Sequence, residues 1–184
     1  MIRGLHAKLS AAQNNKTLVR IERSLERGCV DGYVVGIARS WFALLIVGDG
    51  IRLDGYQIFR LRDVLTIESP APHATFQEVV LRKRKLRIIK PRKLDLSSTT
   101  AALNSACAKY SLITIHREIT DCEVCHIGRV AKFNRTTVTL KEVTPDGTWA
   151  ADLSNFRLSE ITRVDFGGPY EEALMMVVGT TKIV

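Results

Sequence analysis

The chain contains no apolar run approaching the roughly 18–20 residues that a membrane-spanning helix needs. Its N-terminus, MIRGLHAKLSAAQNNK, has no continuous apolar region of the secretory kind. Cysteine is scarce, with only Cys29, Cys107, Cys122 and Cys125. In a chain read as unexported these are expected to be reduced thiols, and the expected location is the cytoplasm. Patterns that announce catalysis are missing as well. G-x-S-x-G, G-x-x-x-x-G-K-[ST], H-E-x-x-H and G-x-G-x-x-G do not occur. The four histidines (His6, His73, His116, His126) stand at positions that match nothing else in the chain. The expectation is a protein that is not an enzyme, with no cofactor, no catalytic residue, no membrane partner and no small-molecule substrate. Cys122-Glu-Val-Cys125-His126 has the C-x-x-C-H form. A structural zinc site usually has four ligands in two spaced pairs, whereas here there is one pair, so these thiols are read as packing residues and no metal is expected.

Acidic residues are absent from one stretch where basic ones crowd. Between Arg82 and Lys93 the chain reads RKRKLRIIKPRK: eight basic residues and no acidic one. The net charge is +8, and outside this stretch the remaining 19 basic residues equal the 19 acidic ones. One segment therefore supplies the whole excess.

What the chain does have is a repeat, read from residues some 94 to 97 apart. LVRIERSL (18–25) aligns with LITIHREI (112–119). Gly32, Val34, Arg39, Leu44 and Val47 match Gly128, Val130, Arg135, Leu140 and Val143, and Asp49-Gly50 matches Asp146-Gly147. FRLRDVLTIES (59–69) matches FRLSEITRVDF (156–166), and FQEVV (76–80) matches YEEAL (170–174). Two copies are expected, at 1–90 and 91–184, the first ending in the basic run. Each begins with a helix: around RGLHAKLSAAQNN in one, and in LSSTTAALNSACAKY in the other, where Ser97 or Ser98 suits an N-cap. Short alternating runs rich in β-branched residues follow, which predicts half-buried strands. The predicted class is mainly β with short helices.

A helix, a strand LVRIERS, a Gly-containing bent strand GYVVGIARS, an apolar strand ALLIV and then IFRLRDVLTI resemble, in that order, the Sm-like and SH3-like small β-barrels. The resemblance covers about 50 to 60 residues of each copy and implies two tandem small barrels. Many Sm-like proteins bind RNA as rings, through an Asp- or Asn-containing loop and an Arg-Gly in the second motif. Here Arg60 and Arg157 stand at the arginine, Leu61 and Leu158 replace the glycine, and Asn134 is the one loop candidate.

The matched apolar residues (Phe59/Phe156, Leu61/Leu158, Val64/Ile161, Ile67/Val164) read as core. Arg60 and Arg157 fall on the opposite face, with Asp63 or Glu160 as an ion-pair partner. Trp41 and Phe42 read as barrel packing, with a base-stacking platform as the alternative. Two functions stay open. One is a binding or scaffolding protein that acts through protein–protein contact or self-association along exposed strand edges. The other is nucleic-acid binding, RNA before DNA, through Arg82, Lys83, Arg84, Lys85, Arg87, Lys90, Arg92 and Lys93, joined by Arg39 and Arg60.

Overall fold

The computed structural model describes residues 2–179, so Met1 of the first copy and residues 180–184 of the second lie outside the described residues. Helix α1 (Ile2–Asn15) leads into β1 (Leu18–Arg23), β2 (Cys29–Ile37), β3 (Trp41–Gly48) and β4 (Arg52–Arg60). A single 3-10 turn (Leu61–Asp63) then precedes β5 (Val64–Glu68) and α2 (Ala74–Lys83). The second half runs α3 (Thr99–Cys107), β6 (Ile113–Arg117), β7 (Asp121–Phe133), β8 (Thr137–Val143), β9 (Trp149–Arg157), β10 (Arg163–Phe166) and α4 (Pro169–Val178). Ser98 caps α3, its hydroxyl accepting from the Ala101 N–H at 3.1 Å.

The ten strands of the described residues form one antiparallel sheet in the order β5-β1-β2-β3-β4-β10-β6-β7-β8-β9. The fold is thus mainly β with helices, as expected. The sheet is open: β5 and β9 are its two edges, and strand pairing closes neither half into a separate barrel.

The sequence repeat is a repeat of register. Val19 faces Gly32 as Ile113 faces Gly128. The ladder is bulged between Val34 and Gly36 and again between Val130 and Lys132. Phe42 faces Phe59 as Val138 faces Phe156, and Ile21 faces Ile67 as Ile115 faces Val164. The matched glycines have a steric cause. A Cβ on Gly32 would stand 2.8 Å from the Leu45 carbonyl oxygen, and one on Gly128 would stand 2.5 Å from that of Lys141. The sharply bent second strand of each half leaves room only for glycine there.

The first half curls around a core of Val19, Ile21, Phe42, Phe59, Leu61 and Ile67, lidded by Leu9 and Ala12 of α1. Each such side chain contributes roughly 1.5–3 kcal/mol on burial. The second core, with Ile113, Val138, Leu140 and Phe156, is continuous with the outer face of β2–β4, where Tyr33, Trp41, Leu45 and Ile58 belong to the same cluster as Leu103 and Ala106 of α3. Strand β3 is consequently buried on both faces from Trp41 to Val47. That is why its sequence is a continuous apolar run rather than an alternating one.

The connection between the halves is pinned to the sheet. The Arg84 guanidinium donates to the carbonyl oxygens of Gly50 and Ile51, and the Tyr56 hydroxyl donates to the Ile89 carbonyl at 2.9 Å. Leu94 and Leu96 lie so close over Gly36 that a Cβ there would meet them at 2.9 and 3.1 Å.

Candidate functional site

The two halves meet where β4 pairs with β10: Arg163 opposite Phe59, Val164 opposite Ile58, Asp165 opposite Gln57 and Phe166 opposite Tyr56. Ladder hydrogen bonds oblige only the backbone, so the side chains decide how specific this seam is. On one face Tyr56 stacks on Phe166 with centroids 5.2 Å apart and leans on Tyr110. On the other face lies a charged cluster. Arg23 donates both terminal nitrogens to Glu118, at 3.0 and 2.6 Å, and sits 4.5 Å above the Phe59 ring. Arg163 grips Asp165 and reaches Glu26 at 3.0 Å, while His116 and Gln57 also approach Asp165. Burial alone would raise both acids. Arg23, with help from Thr162 and Arg163, instead holds Glu118 below the usual carboxylate range, and His116 and Arg163 do the same for Asp165. Burial would lower the Arg163 guanidinium, but Asp165, Glu26 and Glu118 raise it.

The sheet ends in two unpaired edges. β9 exposes Leu153 (43% exposed) and Arg157, and β5 exposes Leu65 and Glu68. Among the described residues, neither is covered by a further strand. Such edges present free N–H and C=O groups to another chain.

The basic run divides. Arg82 and Lys83 end α2, and the rest of the run is irregular chain, exposed from Arg82 to Lys90 and at Arg92 and Lys93. Arg84 is committed to the β3–β4 turn. Arg82, Lys85 and Arg87, joined by Lys16, line a groove of about 850 Å³ whose floor includes Leu53 and Leu81. Tyr33 lies in that floor, its hydroxyl pushed up to about 12 by burial and by the nearby Glu78. Lys83, Lys90, Arg92 and Lys93 lie outside the groove lining.

Arg39 and Arg60 belong to a different place. With Arg62, Ser40, Trp41 and Leu158 they line a pocket of about 400 Å³ between the halves. Arg39 is exposed, whereas Arg60 is buried and donates Nε to Asp63 at 2.6 Å. The ion pair expected for Arg60 is present, but the side chain is no part of the basic run's surface. Its Nη2 is buried without a partner among the described residues. Arg157 lies 3.7 Å from Glu160 and is exposed. Trp41 is buried in the second core, so the packing reading holds over the stacking platform. Cys122 and Cys125 are exposed free thiols rather than the packing residues expected, and His126 bonds Glu142 at 3.0 Å. Among the described residues no three His, Cys, Asp or Glu side chains gather to hold a metal ion, and no helix is long and apolar enough to cross a membrane.

No family model, no curated protein and no solved structure matches this chain. The seam cluster was invisible in the sequence because its members come from four separate segments. The one cue was the arginine shared by LVRIERSL and LITIHREI, which places Arg23 and Arg117 alike.

Proposed function

We propose that the chain is a non-catalytic scaffold built from two Sm-like small barrels, and that it assembles head to tail through its free strand edges. The observation that carries this reading is the seam. The chain joins its halves by pairing β4 with β10, and the two edge strands, β9 and β5, are the repeat counterparts of those two. The helix-plus-five-strand order, the common registers and the common bulge support the barrel resemblance. Carried onto the free edges, the seam's register sets Thr66 opposite Phe156 of a second molecule, Ile67 opposite Asn155 and Glu68 opposite Ser154. A joint between different edges is heterologous, so it propagates until a ring closes or a filament grows.

Crosslinking tests the register. In a variant freed of its four native cysteines, Glu68→Cys with Ser154→Cys should form intermolecular disulfides, because the counterpart pair Asp165 and Gln57 share a face of the sheet. Glu68→Cys with Asn155→Cys places the thiols on opposite faces and should not. A protein that stays monomeric in light scattering at high concentration and crosslinks with neither pair would overturn the proposal.

A second reading rests on the unpartnered Nη2 of Arg60 in a pocket shared with Arg39 and Arg62: a site for a phosphate of a nucleic-acid strand. Titration with labelled RNA and DNA oligonucleotides across a salt series tests it. Affinity unchanged in Arg39→Ala/Arg62→Ala refutes it.

A further inference from the structure

The groove beside α2 has a rim of Lys16, Arg82, Lys85 and Arg87, with Glu78 as its one acid. It opens beside the start of α2, whose N-cap residue, His73, makes no capping side-chain hydrogen bond. The counterpart helix differs, since the Gly168 N–H at the start of α4 donates to Glu171. An uncapped helix start next to a cationic rim favours a carboxylate. The floor is aliphatic except for Tyr33, which is buried, so no exposed ring is offered for a base to stack on.

The seam shows what occupies the equivalent position in the second half. There the Gly55-Tyr56 corner of β4 presses against Gly168 and Tyr110; a Cβ on Gly55 would strike the Gly168 backbone. Tyr56 faces Leu45 as Leu153 faces Lys141, so the counterpart of Gly55-Tyr56 is Asp152-Leu153, and both residues are exposed on β9. The counterparts of Gly168 and Tyr110 are the start of α2 and Lys16, which flank the groove.

We infer that the groove is the receptor for the Asp152-Leu153 corner of a second copy of this chain, an inference that rests on the head-to-tail reading. The Asp152 carboxylate docks at the start of α2 beside Lys16, within the field of Arg82 and Lys85, and Leu153 lies on the aliphatic floor. The corner thereby gives the assembly its direction: an acid at the β9 end, a cationic receptor at the β5 end, and no equivalent charge pair at the internal seam, where the corner residue is glycine.

A charge exchange in the full-length protein tests this. Asp152→Lys alone and Lys16→Asp alone should each weaken self-association by roughly tenfold or more, as removal of a close interfacial charge pair does. Aspartate is chosen because Lys16 has φ 53°, a conformation that Asp tolerates better than most residues. The two changes together should restore association to near the original value, with circular dichroism reporting the fold of each variant. Unchanged association in the single variants, or no recovery in the double, overturns the groove contact. If the Glu68/Ser154 crosslink still forms in that case, head-to-tail assembly stands and only the groove contact falls; if it does not, both fall. Binding of a uridylate 20-mer that is lost in Arg82→Glu, with association untouched by the charge exchange, would assign the groove to single-stranded nucleic acid instead.

Discussion

Changing Glu118 to glutamine keeps the shape of the side chain, removes its charge and turns one of the two oxygens that accept from Arg23 into an amide donor. Arg23 would then be left in the seam, 1% exposed, with Glu26 at 3.2 Å as its remaining carboxylate. Breaking a buried ion pair from one side costs about 3–5 kcal/mol, because the remaining charge stays desolvated. Glu26 is a third exposed and remains in place, so the lower end, about 3 kcal/mol, is the expected loss. Against a total stability of roughly 5–15 kcal/mol that is a large fraction. Replacing both partners, Arg23→Met with Glu118→Leu, removes the uncompensated charge and should fall within about 1 kcal/mol of the parent. Urea unfolding followed by the fluorescence of Trp41 and Trp149 measures all three proteins. The Arg23–Glu118 pair also has a pH signature. Glu118 titrates below its usual range when folded, so its stabilisation is complete above the unfolded value near 4.3 and disappears as pH falls through the folded one. The parent should therefore lose stability below about pH 4 more steeply than the glutamine variant. A loss under about 1 kcal/mol in Glu118→Gln, or a double variant no more stable than the single, refutes the reasoning.

Trp41→Ala should cost about 3–5 kcal/mol in the same urea assay, since the ring is buried in the second core; a near-neutral result would restore the stacking-platform reading. Gly55→Ala should destabilise by more than about 1 kcal/mol, because φ is +71° and the new methyl meets the Gly168 backbone; an unchanged thermal midpoint would contradict this. Tyr33 and Tyr56 should ionise at about 12, their hydroxyls raised first by burial. The stabilisation they provide is full below the free value near 10 and is lost as pH rises through 12, visible as delayed tyrosinate absorbance. Ionisation of all four tyrosines together near 10 would refute the burial.

The repeat was legible because duplicated strands keep duplicated constraints. Gly32 and Gly128, Phe59 and Phe156, Ile67 and Val164 each meet the same steric or core demand twice, so matching letters marked matching registers. The helix at LSSTTAALNSAC could be read from Ser98 and the alanines that follow it. Closure was not legible. Alternation says that a strand has two faces but not whether its edge will find its own barrel or the neighbouring half. Both α2 and α4 were missed as helices because neither opens on a side-chain cap of the kind that Ser98 gives α3; α4 buries none of its residues. The basic run showed its charge but not its anchoring. That Arg84 would turn to the Gly50 and Ile51 carbonyls, while Lys85 and Arg87 line a groove with Lys16, depends on contacts between segments tens of residues apart. Arg60 was legible as an ion pair with Asp63 because the two are three residues apart.

The pinned connection from Arg84 to Leu96 makes the seam an intramolecular event. A short linker holds its two ends at an effective concentration on the order of millimolar, so β4 and β10 find each other at any dilution of the protein. Glu118 and Arg163 stand where the first copy has Ser24 and Thr66, and the tether lets these residues specialise for one fixed partner. An edge with no tether has only the bulk concentration to work with. Whatever pairs with β5 and β9 therefore responds to how much protein is present, while the seam between the halves does not.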